Sequence, residues 1–297
     1  MNNTKKKSPI SWVPTAYFAM GLPFVVLNMV TVLMFKGLEV DDKLITFWTS
    51  LILLPWTLKP LWSPFLELFR TKKFFVIVTQ LITGVTFGLV AFALNLSHFF
   101  SISIALLAIV AFSGATHDIA CDGVYMSELS NEDQAKFIGW QGAFYNIAKI
   151  LATGGLVYLA GYFIELNADA GLLTANKRAW MIILLILSVT MILLGIYHLF
   201  ALPSTQSASS RKTLRSNKEV MKELGQVLMD FFRKTHVTYY ICFIILYRFA
   251  MPYHTTTHIK TLPWNNTQSI AVGIAKHIYS KFRSCHILGH YTRQESL

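Results

Sequence analysis

Residues 111–128 read AFSGATHDIACDGVYMSE, and the rest of the chain is read from them. The stretch closes a long apolar run with the length of a membrane helix, yet it holds His117, Asp118, Cys121 and Asp122 close together. An ionised carboxylate near a bilayer centre costs about 3 kcal/mol on insertion scales. A chain tolerates that cost when the groups face a protein-lined cavity. Asp118 and Asp122 are one helical turn apart and share a face. That face is the leading functional candidate.

Composition places this stretch in a polytopic membrane protein. The chain has 297 residues, 54% hydrophobic and 14% charged, where a soluble domain carries about 25% charged residues. Mean hydropathy is +0.49. The net charge of +11 does not point to nucleic acid, because the basic residues cluster between apolar runs, as in cytoplasmic loops of membrane proteins. Cys121, Cys242 and Cys285 match no zinc or redox spacing, and an odd count gives no disulfide framework. They read as free thiols among apolar neighbours.

Upstream, Lys5, Lys6 and Lys7 precede an apolar run from Ser11 to Phe35. The run is too long for the core of a signal peptide and lacks a small-residue cleavage site, so it reads as a retained first span. Pro14 and Gly21-Leu22-Pro23 interrupt it. Proline there implies either a simple kink or a broken helix lining a transport site. A second span is expected over Leu44–Leu66, made irregular by Pro55, Pro60 and Pro64, with Lys59 snorkelling to the interface. A tight charged turn with Glu67, Arg70, Lys72 and Lys73 leads to a featureless third span, Phe74–Leu96. The fourth covers Phe100–Leu129 and the sixth Ala179–Leu202. The fifth, Phe137–Phe163, is rich in small residues, among them Gly142, Ala143, Ala148, Ala152, Gly154 and Gly155. Such residues let helices approach closely in lipid.

Lys and Arg fix an expected orientation. With six spans, 14 of the basic residues up to Lys234 fall on one side and 4 on the other. Positive-inside then puts the N-terminus in the cytoplasm. The expected division is a cytoplasmic N-terminus over 1–10, a six-span bundle over 11–202, and a basic cytoplasmic linker over 203–236. A partial seventh span over 237–251 and an aberrant polar tail over 252–297 follow. Within the linker, Val220–Phe232 has apolar residues at helical spacing, as in an amphipathic helix on the membrane face or packed on protein. The abrupt polar change after Pro252 is what a frameshift or truncated gene copy would leave. The scattered histidines beyond it follow no metal-ligand pattern.

Fourth and fifth spans joined by a short loop are antiparallel neighbours. Counted from that loop, Asp118 and Lys149 lie at equal depth, about 16–18 Å at 1.5 Å per residue. This predicts an intramembrane Asp118–Lys149 pair, leaving Asp122 as the freer carboxylate and a seat for reversible protonation. The structural alternative is an ion pair that merely locks two helices. His117 and Cys121 do not complete a transition-metal set. No HExxH, GxSxG or phosphate-loop motif occurs, so an enzyme is not indicated, and neither metal nor cofactor is expected.

SGATHDIACDGVYMSEL (113–129), followed by FYNIAKILATGGLVYLAG (144–161), resembles helices 4 and 5 of the muropeptide permease branch of the major facilitator superfamily. That branch also holds acetyl-CoA transporters. GLPFVVL (21–27), LPWTLKPLWSPFLELF (54–69) and FFRKTHVTYYICFIILYRF (231–249) look like the same family's segments. The likeness runs from about Trp12 to Phe249. Two departures stand out: Asn146 where many members have Arg, and Glu67-Leu68 where many have Asp-Arg. The resemblance implies an all-α integral membrane fold, the N-terminal six-helix bundle of a facilitator plus a partial seventh helix. It implies proton-coupled import of muropeptides or related cell-wall sugar-peptides across the cell inner membrane. Asp118, Asp122 and Lys149 would couple the proton, and His117, Gln141, Tyr145 and Asn146 would be cavity-facing polar groups. Implied partners are the lipid bilayer, a small-molecule solute, the proton, and a second chain supplying another six-helix bundle. The alternatives are a facilitator for a siderophore or acyl-CoA-like anion, and an inactive half-transporter or membrane scaffold.

Overall fold

The computed structural model describes residues 7–69 and 71–203, together with Gln226, Met229 and Arg233. The partial seventh span and the polar tail lie outside the described residues, as does the linker helix apart from those single positions. Among the described residues every regular element is helical. Six helices are long and apolar enough to cross a membrane: span 1 (Pro9–Gly37), span 2 (Asp42–Ser63), span 3 (Lys72–Ala93), span 4 (Phe99–Glu128), span 5 (Asn131–Leu166) and span 6 (Leu172–Ala201).

The ends of these helices follow from local chemistry. Asp41 accepts from the Lys43 amide at 2.8 Å and caps span 2, Thr71 caps span 3, and Ser130 caps span 5 with Glu132 and Asp133 in its first turn. The second helix runs on to Phe69 and the third begins at Lys72. The expected charged turn therefore shrinks to two residues. At the far end of span 6, Lys73 donates to the Leu202 carbonyl at 2.9 Å and Lys7 to that of Phe200. These cations meet the last turn of the helix, where unpaired carbonyls concentrate negative charge.

The prolines of span 1 neither break nor simply kink it. Pro14 sits in the first turn, where a missing N–H removes no helix bond. Pro23 lies in the interior, and the helix answers with a wide π-type turn over Val26–Val30. The Thr31 hydroxyl satisfies the Val26 carbonyl there at 2.9 Å.

Span 3 packs between spans 4 and 6, span 1 lies against spans 5 and 4, and span 2 runs along span 4. Phe35, Phe87, Leu107 and Ile183 are fully buried between them. Gly21 of span 1 lets spans 1 and 5 approach closely. A Cβ there would meet the Ala148 Cβ and the Tyr145 carbonyl, both at 2.9 Å. The small residues of span 5 divide accordingly. Ala148 and Ala152 are buried, whereas Gly142 and Gly154 have open space beside them among the described residues. Only part of the expected small-residue seam is thus a helix contact.

Candidate functional site

Asp118 projects from span 4 toward span 2 and is 7% exposed. Its Oδ2 accepts from Lys59 Nζ at 2.7 Å and from Trp56 Nε1 at 2.8 Å. Trp56 and Lys59 are three residues apart and so share a face of span 2. Room for the indole comes from Gly114, one turn before Asp118. A Cβ at Gly114 would stand 2.9 Å from Trp56 Cζ2 and 3.5 Å from Pro23. The Trp56 ring also meets Phe24 edge to face at 5.3 Å. Spans 1, 2 and 4 therefore converge on one tryptophan, which holds the carboxylate from the side while the lysine neutralises it.

This corrects two expectations. The cation opposite Asp118 is Lys59, not Lys149, and Lys59 does not snorkel to the interface. With the helix ends as observed, depth separates the two amines. Lys59 lies ten residues before the end of its helix at Phe69, and Asp118 ten before Glu128, about 15 Å in each case. Span 5 begins at Asn131, which sets Lys149 eighteen residues in, about 27 Å, and span 1 packs against both span 4 and span 5; span 2 therefore supplies the cation.

Asp122 is half-buried. Its Oδ1 accepts from the Tyr17 hydroxyl at 2.8 Å, and Gln141 of span 5 also reaches that hydroxyl. Tyr17 is 2% exposed and lies edge to face with Tyr125 at 5.8 Å. Among the described residues no cation stands within salt-bridge distance of Asp122. The two acids are thus in different states of engagement. One is in an ion pair, and the other is held by neutral donors. Asp118 also keeps one oxygen, Oδ1, buried and without a hydrogen-bond partner among the described residues.

Lys149 lies on the span 5 face that also carries Gln141 and Tyr145. Its Nζ sits over the Tyr145 ring, 4.9 Å from the centroid. Asn146 is exposed and donates to the Gly142 carbonyl of its own helix at 2.8 Å. Gln141, Tyr145 and Lys149 thus line the side of span 5 toward span 1, while Asn146 stands at its edge.

His117 is not brought to this site. It turns toward span 3, is 3% exposed, and its Nε2 lies 3.0 Å from Gln80 Nε2. Gln80 Oε1 in turn meets His198 Nδ1 at 2.9 Å, and His198 Nε2 meets Thr15 Oγ1 at 2.9 Å. The bonds fit one direction. Thr15 donates to His198, His198 to the Gln80 carbonyl oxygen, and the Gln80 amide to His117, with both imidazoles neutral. His117 Nδ1 is left buried without a partner among the described residues. Span 3, expected to be featureless, supplies the central amide of this network. The polar residues missed at sequence level are Tyr17, Trp56, Lys59, Gln80 and His198. The three-residue Trp56–Lys59 spacing opposite an acidic span, and a lone glutamine inside an apolar helix, were the available signals.

The family model described as the Major Facilitator Superfamily matches residues 15–280. No curated protein matches the chain.

Proposed function

This chain belongs to the major facilitator superfamily, and within that family of membrane transporters we propose a proton-coupled carrier that imports muropeptides or related cell-wall sugar-peptides. The observation that carries the coupling is the unequal treatment of two acids on one face of span 4. Asp118 is neutralised by Lys59 at 2.7 Å. Asp122 is half-buried and bonded to a tyrosine hydroxyl rather than a cation. A carboxylate in that setting can take up and release a proton without breaking an ion pair, whereas Asp118 can do so only by releasing Lys59. The solute class rests on the resemblance of the helix 4 and helix 5 segments. In this reading the protein lies in the cell inner membrane with its N-terminus in the cytoplasm. A second six-helix bundle forms the opposite wall of the pathway.

The test is uptake of labelled N-acetylmuramyl dipeptide into proteoliposomes with an imposed pH gradient. The wild type accumulates the label when the lumen is alkaline. The variant Asp122→Asn exchanges label across the membrane but no longer concentrates it. Gradient-driven accumulation by Asp122→Asn equal to wild type would remove Asp122 from the coupling step.

A further inference from the structure

We infer that Lys149 recognises an anionic group, a carboxylate or a phosphate, on the transported solute. The inference deepens the carrier reading above and rests on it for the word solute. Lys149 stands near the middle of span 5, with 18 residues of helix before it and 17 after, about 25 Å from either end. An amine at that depth is costly to keep charged unless something compensates it. The two acids of the site are engaged elsewhere, Asp118 by Lys59 and Trp56 and Asp122 by Tyr17. Among the described residues no carboxylate lies within salt-bridge distance of Lys149. The Tyr145 ring at 4.9 Å stabilises a cation modestly, but it brings no negative charge.

The surroundings of Lys149 fit a ligand rather than a buried neighbour. Gly142, two turns before it on a shared face, has no atom of the described residues within 4 Å of where a Cβ would stand. Asn146 between them is exposed. On the other flank Gln141 and Tyr145 precede Lys149 at four-residue steps, and Gln141 reaches the Tyr17 hydroxyl that holds Asp122. From Gln141 to Lys149 is about 12 Å along the helix. That strip runs from a protonatable acid, past an aromatic ring, to an amine with no carboxylate beside it among the described residues. A solute of disaccharide or short-peptide length would span it, its anionic end on Lys149 and its neutral polar portion along Tyr145 and Gln141.

The test has two arms, both on the full chain purified in detergent or reconstituted. In the first, thermal stability is measured with N-acetylmuramyl dipeptide, its neutral amide, inorganic phosphate or acetate, at constant ionic strength. The three anions are expected to raise the wild-type Tm by about 2 °C or more, the amide to do less, Lys149→Arg to respond like wild type, and Lys149→Gln not to respond. In the second, uptake without a pH gradient compares the dipeptide with its amide. Lys149→Gln is expected to raise KM for the dipeptide at least about tenfold, the factor set by roughly 1.4 kcal/mol of lost pairing, and to leave KM for the amide unchanged. The inference is overturned if no anion stabilises the wild type. It is equally overturned if Lys149→Gln keeps the anion response or raises both KM values alike, as a partner acid from the second bundle would cause. Neither arm uses a proton gradient, so loss of coupling leaves it standing. Stabilisation by phosphate and acetate but not by the dipeptide would keep the anion site and remove the cell-wall solute.

Discussion

Replacing Lys59 by Gln leaves Asp118 with the Trp56 indole as its one remaining donor among the described residues. Removing one member of a buried pair costs about 3–5 kcal/mol, because the other charge stays buried and uncompensated. The Asp118 side chain is 10% exposed and that of Lys59 is 28% exposed. Some water therefore reaches the amine, and the lower end, about 3 kcal/mol, is the expected loss. For a chain of this size that corresponds to a fall of about 6–12 °C in Tm, read by fluorescence-detected size exclusion after heating in detergent. Asp118→Asn removes the orphaned charge, so the double variant Lys59→Gln/Asp118→Asn should recover at least half of the loss, a coupling of about 2 kcal/mol. Lys149→Gln combined with Asp118→Asn should instead be additive within about 0.5 kcal/mol. A drop below about 2 °C for Lys59→Gln, or coupling to Asp118 that belongs to Lys149, would refute the assignment of the pair.

Two further outcomes follow from the packing. Gly21→Leu should drive spans 1 and 5 apart, since a Cβ alone already meets Ala148 and the Tyr145 carbonyl at 2.9 Å. Membrane-extracted monodisperse protein should be lost, while Gly142→Ala should be recovered at wild-type yield. Gln80→Leu should orphan His117 Nε2 and His198 Nδ1, at about 1–3 kcal/mol for each buried group. A loss of under about 1 kcal/mol in thermal unfolding would show that the two imidazoles find other partners.

Much of the architecture was legible because lipid allows a spanning segment few choices. A run such as Ile104–Phe112, apolar throughout, has to be helical where lipid surrounds it. The acidic face of span 4 was legible for the same reason, since Asp118 and Asp122 have no business in hydrocarbon without a lining. What the apolar runs hide is where a helix begins and which helices are neighbours. Counting span 5 from Phe137 set Lys149 level with Asp118, but that helix begins at Asn131 and packs on span 1. Three prolines in and after span 2 disturb the simple 3.6-residue face on which Lys59 could have been placed. In span 3 one glutamine is outweighed by the apolar residues around it, so no periodic signal announces that Gln80 touches two histidines from other helices. His117 sits next to Asp118 in sequence but a third of a helical turn away in direction. Adjacency suggested a shared cavity where the helix separates them.

The Thr15–His198–Gln80–His117 network has a bearing on leakage. Imidazole rings joined edge to edge can hand protons along, and the two histidines bury a route across spans 1, 6, 3 and 4 that ends one residue from an ion-paired carboxylate. An amide stands at the centre of that route, and a glutamine side chain neither gains nor loses a proton at any pH the protein meets. Orientation passes through Gln80, but charge does not. The bundle therefore has a rivet where it would otherwise have a wire.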